Sequence, residues 1–274
     1  MRIRGIVHRR DLPLRGISET ERRRLLRQGR VRRVATWYVT PEAPEDLLPI
    51  LQRGARATCL TAAEHHGLWT PLHSGAHVYR PRGLSPDQLG EEEVGHGRGL
   101  RCWPDTDPVA ALPLALDHAA RCLSAPEAAI LFESALHRRK LSMDAVARCV
   151  AGLPRTLRTP FSRLSSRAES GTETAVRWWL ESLRVTVVPQ VWIPAVGRVD
   201  LKLGTNWIIE CDSVRYHDNL EQFHRDRARD LRLRALGFVV TRLTWEQVFL
   251  EWEATSEHLL TALRRRDHRK KLPR

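Results

Sequence analysis

The chain has 274 residues, of which 42% are hydrophobic, and its 45 Lys and Arg against 32 Asp and Glu leave a formal net charge of +13. That apolar share excludes a disordered chain. The basic excess favours acidic partners, nucleic acid above all, and no apolar run approaches the ~20 residues that a membrane span needs.

MRIRGIVHRR at the start is charged and has no apolar stretch after it, so no signal peptide is expected. Cys59, Cys102, Cys122, Cys149 and Cys211 are scattered, odd in number and without a C-x-x-C pair. That pattern speaks against a zinc site and a disulfide framework, and for a reducing cytoplasm. In chain order, Ser18 with Glu21 three residues on reads as the start of a helix over 19–28, which Gly29 can close. Val31, Val34, Trp37, Tyr38 and Val39 follow as a short hairpin. Helix, glycine and basic hairpin are the order of a winged helix-turn-helix, assigned to residues 1–43.

Residues 44–165 read as a mainly helical middle region and linker. LTAAEHHGLW (60–69) is a helix ending at Gly67, and 84–108 is loop. APEAAILFESALHRR (125–139) carries Ala129, Leu131, Phe132, Ala135 and Leu136 at helical period. A short helix over 141–150 and a Pro-, Ser- and Arg-rich linker over 154–168 complete it. His65-His66 lacks the spacing of ligands on one helix face, and Ser74-Gly75 between His73 and His77 makes that pair loop; neither suggests a metal site.

Residues 166–274 alternate helix and strand. A helix over 172–183 precedes VTVVPQV (185–191), a strand that Pro189 places at an edge or bend. GRVDLKL (197–203) and NWIIECD (206–212) are strands joined by a turn at Gly204-Thr205. A helix over 220–236, the strand FVVTRLT (238–244), a last helix and a basic tail follow.

Side chains on a strand alternate faces. Glu210 and Asp212 therefore share one face, opposite Trp207, Ile209 and Cys211. Asp200 and Lys202 share another, opposite Val199, Leu201 and Leu203. A hairpin brings Asp200 beside Glu210, and carboxylates that close repel unless a cation offsets them. Oxygen donors suit Mg²⁺ or Mn²⁺ rather than zinc; the alternative is a solvated hairpin with ordinary surface acids.

The segment 170–245 resembles the PD-(D/E)xK nuclease superfamily, especially its very-short-patch-repair (Vsr-like) branch. The features that carry the resemblance are S-G-T-E-T (170–174), G-R-V-D (197–200), I-I-E-C-D (208–212), Tyr216-His217, R-D-R-A-R-D (225–230) and L-G-F-V-V-T-R-L-T-W (236–245). The resemblance implies an α/β fold with a restriction-endonuclease-like mixed sheet flanked by helices. It gives metal-binding roles to Glu173, Asp200 and Glu210, with Asp212 a further acid of the set. The usual motif lysine is Asp212 here, and a position often glycine is Ser213. Asp212, His217 or a displaced Lys202 is left to take the lysine's part. The N-terminal G-I-V-H-R-R-D-L (5–12), G-I-S (16–18) and L-L-R-Q-G-R-V-R-R-V (25–34) resemble the winged-helix domain of AbiEi-like antitoxins.

The implied activity is Mg²⁺- or Mn²⁺-dependent hydrolysis of DNA phosphodiesters in the cytoplasm, as an endonuclease or nickase. Asp200, Glu210, Asp212 and His217 form its catalytic set. Arg22, Arg23 and Arg27 would meet DNA from the helix, Arg30, Arg32 and Arg33 from the wing, and Arg225 and Arg229 from the helix after the acidic strand. No membrane partner is expected, and a homo-oligomer is compatible with the sequence. The alternative is a regulator of antitoxin-like type that binds DNA on a nuclease fold without cutting it.

Overall fold

Buried apolar residues gather into separate cores, and the chain divides with them into two compact units, Met1–Ser124 with Ala147–Thr159 and Ala125–Val146 with Pro160–Arg274. The computed structural model describes residues 5–80, 89–96, 107–212, 220–269 and 272, the side chains of 220–226 and 267 excepted. The fold is mixed α/β.

In the first unit, β1 (Ile6–His8), α1 (Glu19–Arg27), β2 (Arg32–Val34) and β3 (Trp37–Val39) give a helix followed by a hairpin. β1 and β2 pair antiparallel to the two sides of β3. The Ser18 hydroxyl accepts from Glu21 N at 3.2 Å and caps α1, while the Glu21 carboxylate turns to Arg24. Half of the expected capping box is thus formed. No residue of α1 is fully buried. Ile6, Val34, Trp37 and Val39 share one core cluster with Leu47, Ile50 and Leu51 of α2 (Leu47–Gln52) and with Val78 and Ala115. Ile6, Val34, Trp37 and Val39 therefore sit in a core common to the segment after them.

That segment continues with β4 (Arg56–Ala57), α3 (Cys59–His65), β5 (His77–Tyr79), β6 (Val94–His96) and α4 (Leu112–Cys122). The three strands form a sheet of order β4-β5-β6, antiparallel then parallel. The middle region is mainly helical, as expected, but it also holds this small sheet, which the sequence reading did not foresee. Strands of two or three residues carry no legible period, and β6 lies within the stretch taken as loop. Residues 84–88 and 97–106 of that stretch lie outside the described residues, as does Cys102.

After α4 the chain enters the second unit with α5 (Ala125–His137), crosses back along α6 (Met143–Ala151) and leaves the first unit after α7 (Arg155–Arg158). Within the expected linker, Phe161 is buried against the rings of Phe132 and Trp178.

The second unit is built on α8 (Gly171–Ser182), β7 (Val187–Ile193), β8 (Gly197–Leu203), β9 (Trp207–Asp212), α9 (Leu220–Ala235), β10 (Val239–Thr244), α10 (Trp245–Phe249) and α11 (Trp252–Arg264). Its sheet has the order β10-β9-β8-β7, with β10 parallel to β9 and the other pairs antiparallel. β7 takes the edge, where Pro189 costs no ladder hydrogen bond in the sheet interior. Trp207, Ile209 and Cys211 pack with Val176 and Leu180 of α8, Leu243, Val248 and Leu259. Ile208 packs with Leu233 of α9 and Phe238. The alternation expected along β9 is therefore present.

Along β8 it is not. Leu201, Leu203 and the opposing Val187 join the α8 cluster, but Val199 with Val191 and Ile193 joins the α9 cluster. Odd-numbered residues on both strands change sides between the pairs Pro189–Leu201 and Val191–Val199. Gln190 sits at the change with φ of 55°, a left-handed value uncommon for a residue with a side chain. Asp200 stands opposite this kink. The expectation that Asp200 and Lys202 share a face opposite Val199 is corrected accordingly, because period two assumes an unkinked strand. The β8–β9 turn also needs its glycine. Gly204 has φ of 52°, and a Cβ there would stand 2.1 Å from the His268 carbonyl oxygen, which accepts from Thr205 N at 2.8 Å.

Candidate active site

Three buried or half-buried carboxylates converge in the second unit: Glu173 from α8, Asp200 from β8 and Glu210 from β9. Ser170 starts α8 by accepting from Glu173 N at 3.0 Å, which fixes Glu173 in the first turn. Its Oε2 accepts from Glu169 N at 3.1 Å and from Gln190 Nε2 at 2.8 Å. Asp200 Oδ1 accepts from the same Gln190 nitrogen at 3.3 Å, and its Oδ2 accepts from Cys211 N at 2.8 Å.

Asp200 is the charge that both neighbours feel. Burial pushes the Glu173 carboxyl up to about 7, and the Asp200 charge adds to the rise. Burial likewise pushes Glu210 up to about 8, with Asp200 next as charge and hydrogen-bond partner, against a downward pull from Arg229 and Arg242. Desolvation and like charge both disfavour the ionised forms, so the cluster repels itself unless protons or a cation intervene. Arg229 Nη2 stands 2.9 Å from Glu210 Oε1, yet it donates to the Arg198 carbonyl. Oε1 of Glu210 is left buried without a hydrogen bond. A buried carboxylate oxygen whose one partner is the ion pair with Arg229, set among other oxygen donors, fits a hard divalent cation.

Asp212, at the end of β9, accepts from Arg242 Nη1 at 2.8 Å. Arg242 lies on β10 beside Glu210 in register and is also bound by both oxygens of Asp230 at 2.8 and 3.1 Å. Lys202 Nζ donates to the Gly204 carbonyl at 2.7 Å, within the turn. His217 and Ser213 lie outside the described residues, and so does the side chain of Arg225. Sequence reasoning missed Gln190 and Arg242. Gln190 has no motif to mark it; Arg242 stood inside T-R-L-T-W, where the strand period could have placed it beside the acids.

In the first unit, Arg22 donates to Tyr38 Oη at 2.8 Å and, with Arg23, pairs with Glu19. Arg33 Nε donates to Ala35 O at 2.9 Å. Arg27, Arg30 and Arg32 are exposed. His65 and His66 bind Asp46 and the Ala110 carbonyl at 2.8 and 2.7 Å.

Among the described residues, the metal-ligating side chains gathered within 4.8 Å of one another are Cys59, His77, His96 and Cys122 rather than the carboxylates. Two of the cysteines scattered along the sequence thus stand together in space. Cys59 and Cys122, far apart in sequence, meet where the start of α3 and the end of α4 come together beside His77, a relationship that spacing cannot reveal. Burial lowers His77 to about 4 and His96 to about 3, with neighbouring imidazoles adding to the fall, and it pushes the Cys59 thiol up.

Compared with known proteins, the chain matches no family model and no curated protein.

Proposed function

We propose that the second unit is a metal-dependent DNA endonuclease or nickase of the PD-(D/E)xK type, Vsr-like in its motif. The observation that carries this reading is the convergence of Glu173, Asp200 and Glu210, with burial and Asp200 raising the other two carboxyls. Those three residues would hold Mg²⁺ or Mn²⁺. When bound, such an ion supplies positive charge against a phosphate and acidifies water. Gln190 keeps Glu173 and Asp200 oriented toward one point. Arg229 follows as a phosphate contact. Asp212 or His217 orients the attacking water and takes its proton. The water oxygen bonds to phosphorus, the bond to the leaving sugar oxygen breaks, and that oxygen takes a proton from solvent water. In the first unit, α1 and the β2–β3 hairpin would act as a winged helix-turn-helix on duplex DNA.

A second reading has its own support. Arg229 beside Glu210 and Arg242 bound to Asp212 place cations next to two of the acids, as a regulator that binds DNA without cutting would tolerate. One experiment separates the two: incubate the full chain with supercoiled plasmid, mismatched duplex and single strands in Mg²⁺ or Mn²⁺. Metal-dependent cutting that Asp200→Asn abolishes supports the nuclease. Binding to DNA with every substrate left intact in Mn²⁺ sinks it and leaves the regulator.

A further inference from the structure

We propose that Cys59, His77, His96 and Cys122 form a tetrahedral zinc site that fastens the β4-β5-β6 sheet to α3 and α4. The four residues come from four elements: the first residue of α3, the first of β5, the last of β6 and the last of α4. β5 and β6 run parallel with His77 opposite Val94 and Tyr79 opposite His96. The two histidines are therefore on one face of the sheet, one diagonal apart.

The spacing suits the ion. Four ligands at the usual Zn–N and Zn–S distances stand about 3.3–3.8 Å from one another at the corners of a tetrahedron. His77 Nδ1 lies 3.1 Å from His96 Nε2, and Cys122 Sγ lies 3.8 Å from His77 Nδ1. All four ligand atoms fall within 4.8 Å.

The chemistry suits it too. Two sulfurs and two imidazoles in a tetrahedral arrangement select zinc over the hard cations that carboxylates prefer. Cys59, His77 and His96 are buried and Cys122 is exposed, so an ion has a path in from the Cys122 side. Supporting contacts hold the ligands in place. His77 N donates to Thr61 Oγ1 at 2.8 Å. The His96 ring stacks on His118 at 5.2 Å, and His118 is held by Thr58 Oγ1 at 2.7 Å. These contacts hold the His77 backbone and the plane of the His96 ring. Four protein ligands leave no open position, which makes the site structural rather than catalytic.

The test uses the full chain, purified with reductant and without chelator. Elemental analysis is expected to find about one zinc per chain. Exchange with Co²⁺ is expected to give the intense near-ultraviolet thiolate-to-cobalt bands of a tetrahedral sulfur site, which carboxylates cannot produce. Cys122→Ser, at an exposed position, should lose both zinc and those bands while the circular dichroism of the chain is kept. Should that variant misfold, the wild-type cobalt spectrum still decides. A wild type that takes up no zinc from zinc-containing buffer, or whose cobalt spectrum lacks thiolate bands, overturns the proposal. So does a Cys59–Cys122 disulfide found by intact mass under the same reducing conditions.

Discussion

Gln190 Nε2 donates to Oε2 of Glu173 at 2.8 Å and to Oδ1 of Asp200 at 3.3 Å, so one amide stands between two like-charged side chains. Its left-handed backbone, φ 55°, is what aims it there from an edge strand. Gln190→Met keeps the volume and removes the donor. Metal-dependent cleavage should fall by about 10–100-fold, as for other residues that orient metal ligands, and part of the loss should return at higher Mn²⁺. Equal rates in variant and wild type across a metal titration would remove Gln190 from the site.

Asp200→Asn and Glu210→Gln should each abolish cleavage while leaving the circular dichroism unchanged. Asp200→Asn removes the charge that raises both neighbours, and Glu210→Gln fixes Glu210 in its neutral form, so each relieves a cluster that repels itself without an ion. Melting temperature without divalent metal should therefore hold or rise, with a gain of about 2–4 °C for each kcal/mol recovered. A variant that both cuts normally and melts normally contradicts the assignment of these acids.

The raised carboxyls fix the sign of a pH effect. Glu173 at about 7 and Glu210 at about 8 lie above the ordinary carboxylate value. The native state therefore keeps protons that the unfolded chain has lost. Stability from these groups is fully present below about pH 4 and declines as pH rises through 7 to 8. Metal-free protein should melt lower at pH 8.5 than at pH 6. Mg²⁺ should restore the difference, and Glu210→Gln should flatten it. A melting temperature that rises with pH over this window would mean that the two carboxyls are ionised in the native state.

Much of the second unit was legible because its signals are long and local. β8 coincides with GRVDLKL, β9 begins one residue inside NWIIECD, and α8 starts one residue before the helix expected over 172–183. Pro189 announced an edge or a bend, and both are present, but it did not announce that the kink at Gln190 moves Val199 to the other core. The three-residue strands β5 and β6 left no period to read, and with them went the meeting of His77 and His96. Contacts between distant elements, such as Arg242 with Asp212 or Glu133 with Arg177, depend on packing that a local pattern does not encode.

Glu133 is one such residue. It lies fully buried on the apolar stripe of α5, where it pairs with Arg177 and accepts from Thr174 Oγ1 and Ser165 N, each at 2.9 Å. Removing one partner of a buried pair strands the other charge and costs about 3–5 kcal/mol. Glu133→Ala should therefore lower urea stability by about that amount. The double change Glu133→Leu with Arg177→Met should cost less than Glu133→Ala alone, because no charge is left buried. A double variant weaker than the single would mean that the network stabilises beyond its charges.

The arginines of the first unit divide into two groups that DNA binding should tell apart. Arg22 is engaged with Glu19 and Tyr38, its guanidinium 5.6 Å from the tyrosine ring centroid, so Arg22→Ala should act mainly on folding. Arg27, Arg30 and Arg32 are exposed on the end of α1, the loop after it and β2. If this surface grips the phosphate backbone, replacing all three with Ala should weaken duplex binding. It should also flatten the slope of log affinity against log salt by about 0.9 for each phosphate no longer neutralised. Fluorescence anisotropy across a salt series measures both, with Arg155→Ala and Arg158→Ala as basic controls on α7. Zinc content and melting temperature should stay unchanged in the triple variant, because none of its three side chains is buried. A triple variant with the wild-type slope would show that the helix and hairpin do not hold DNA, and the basic face would then have to serve a different acidic partner.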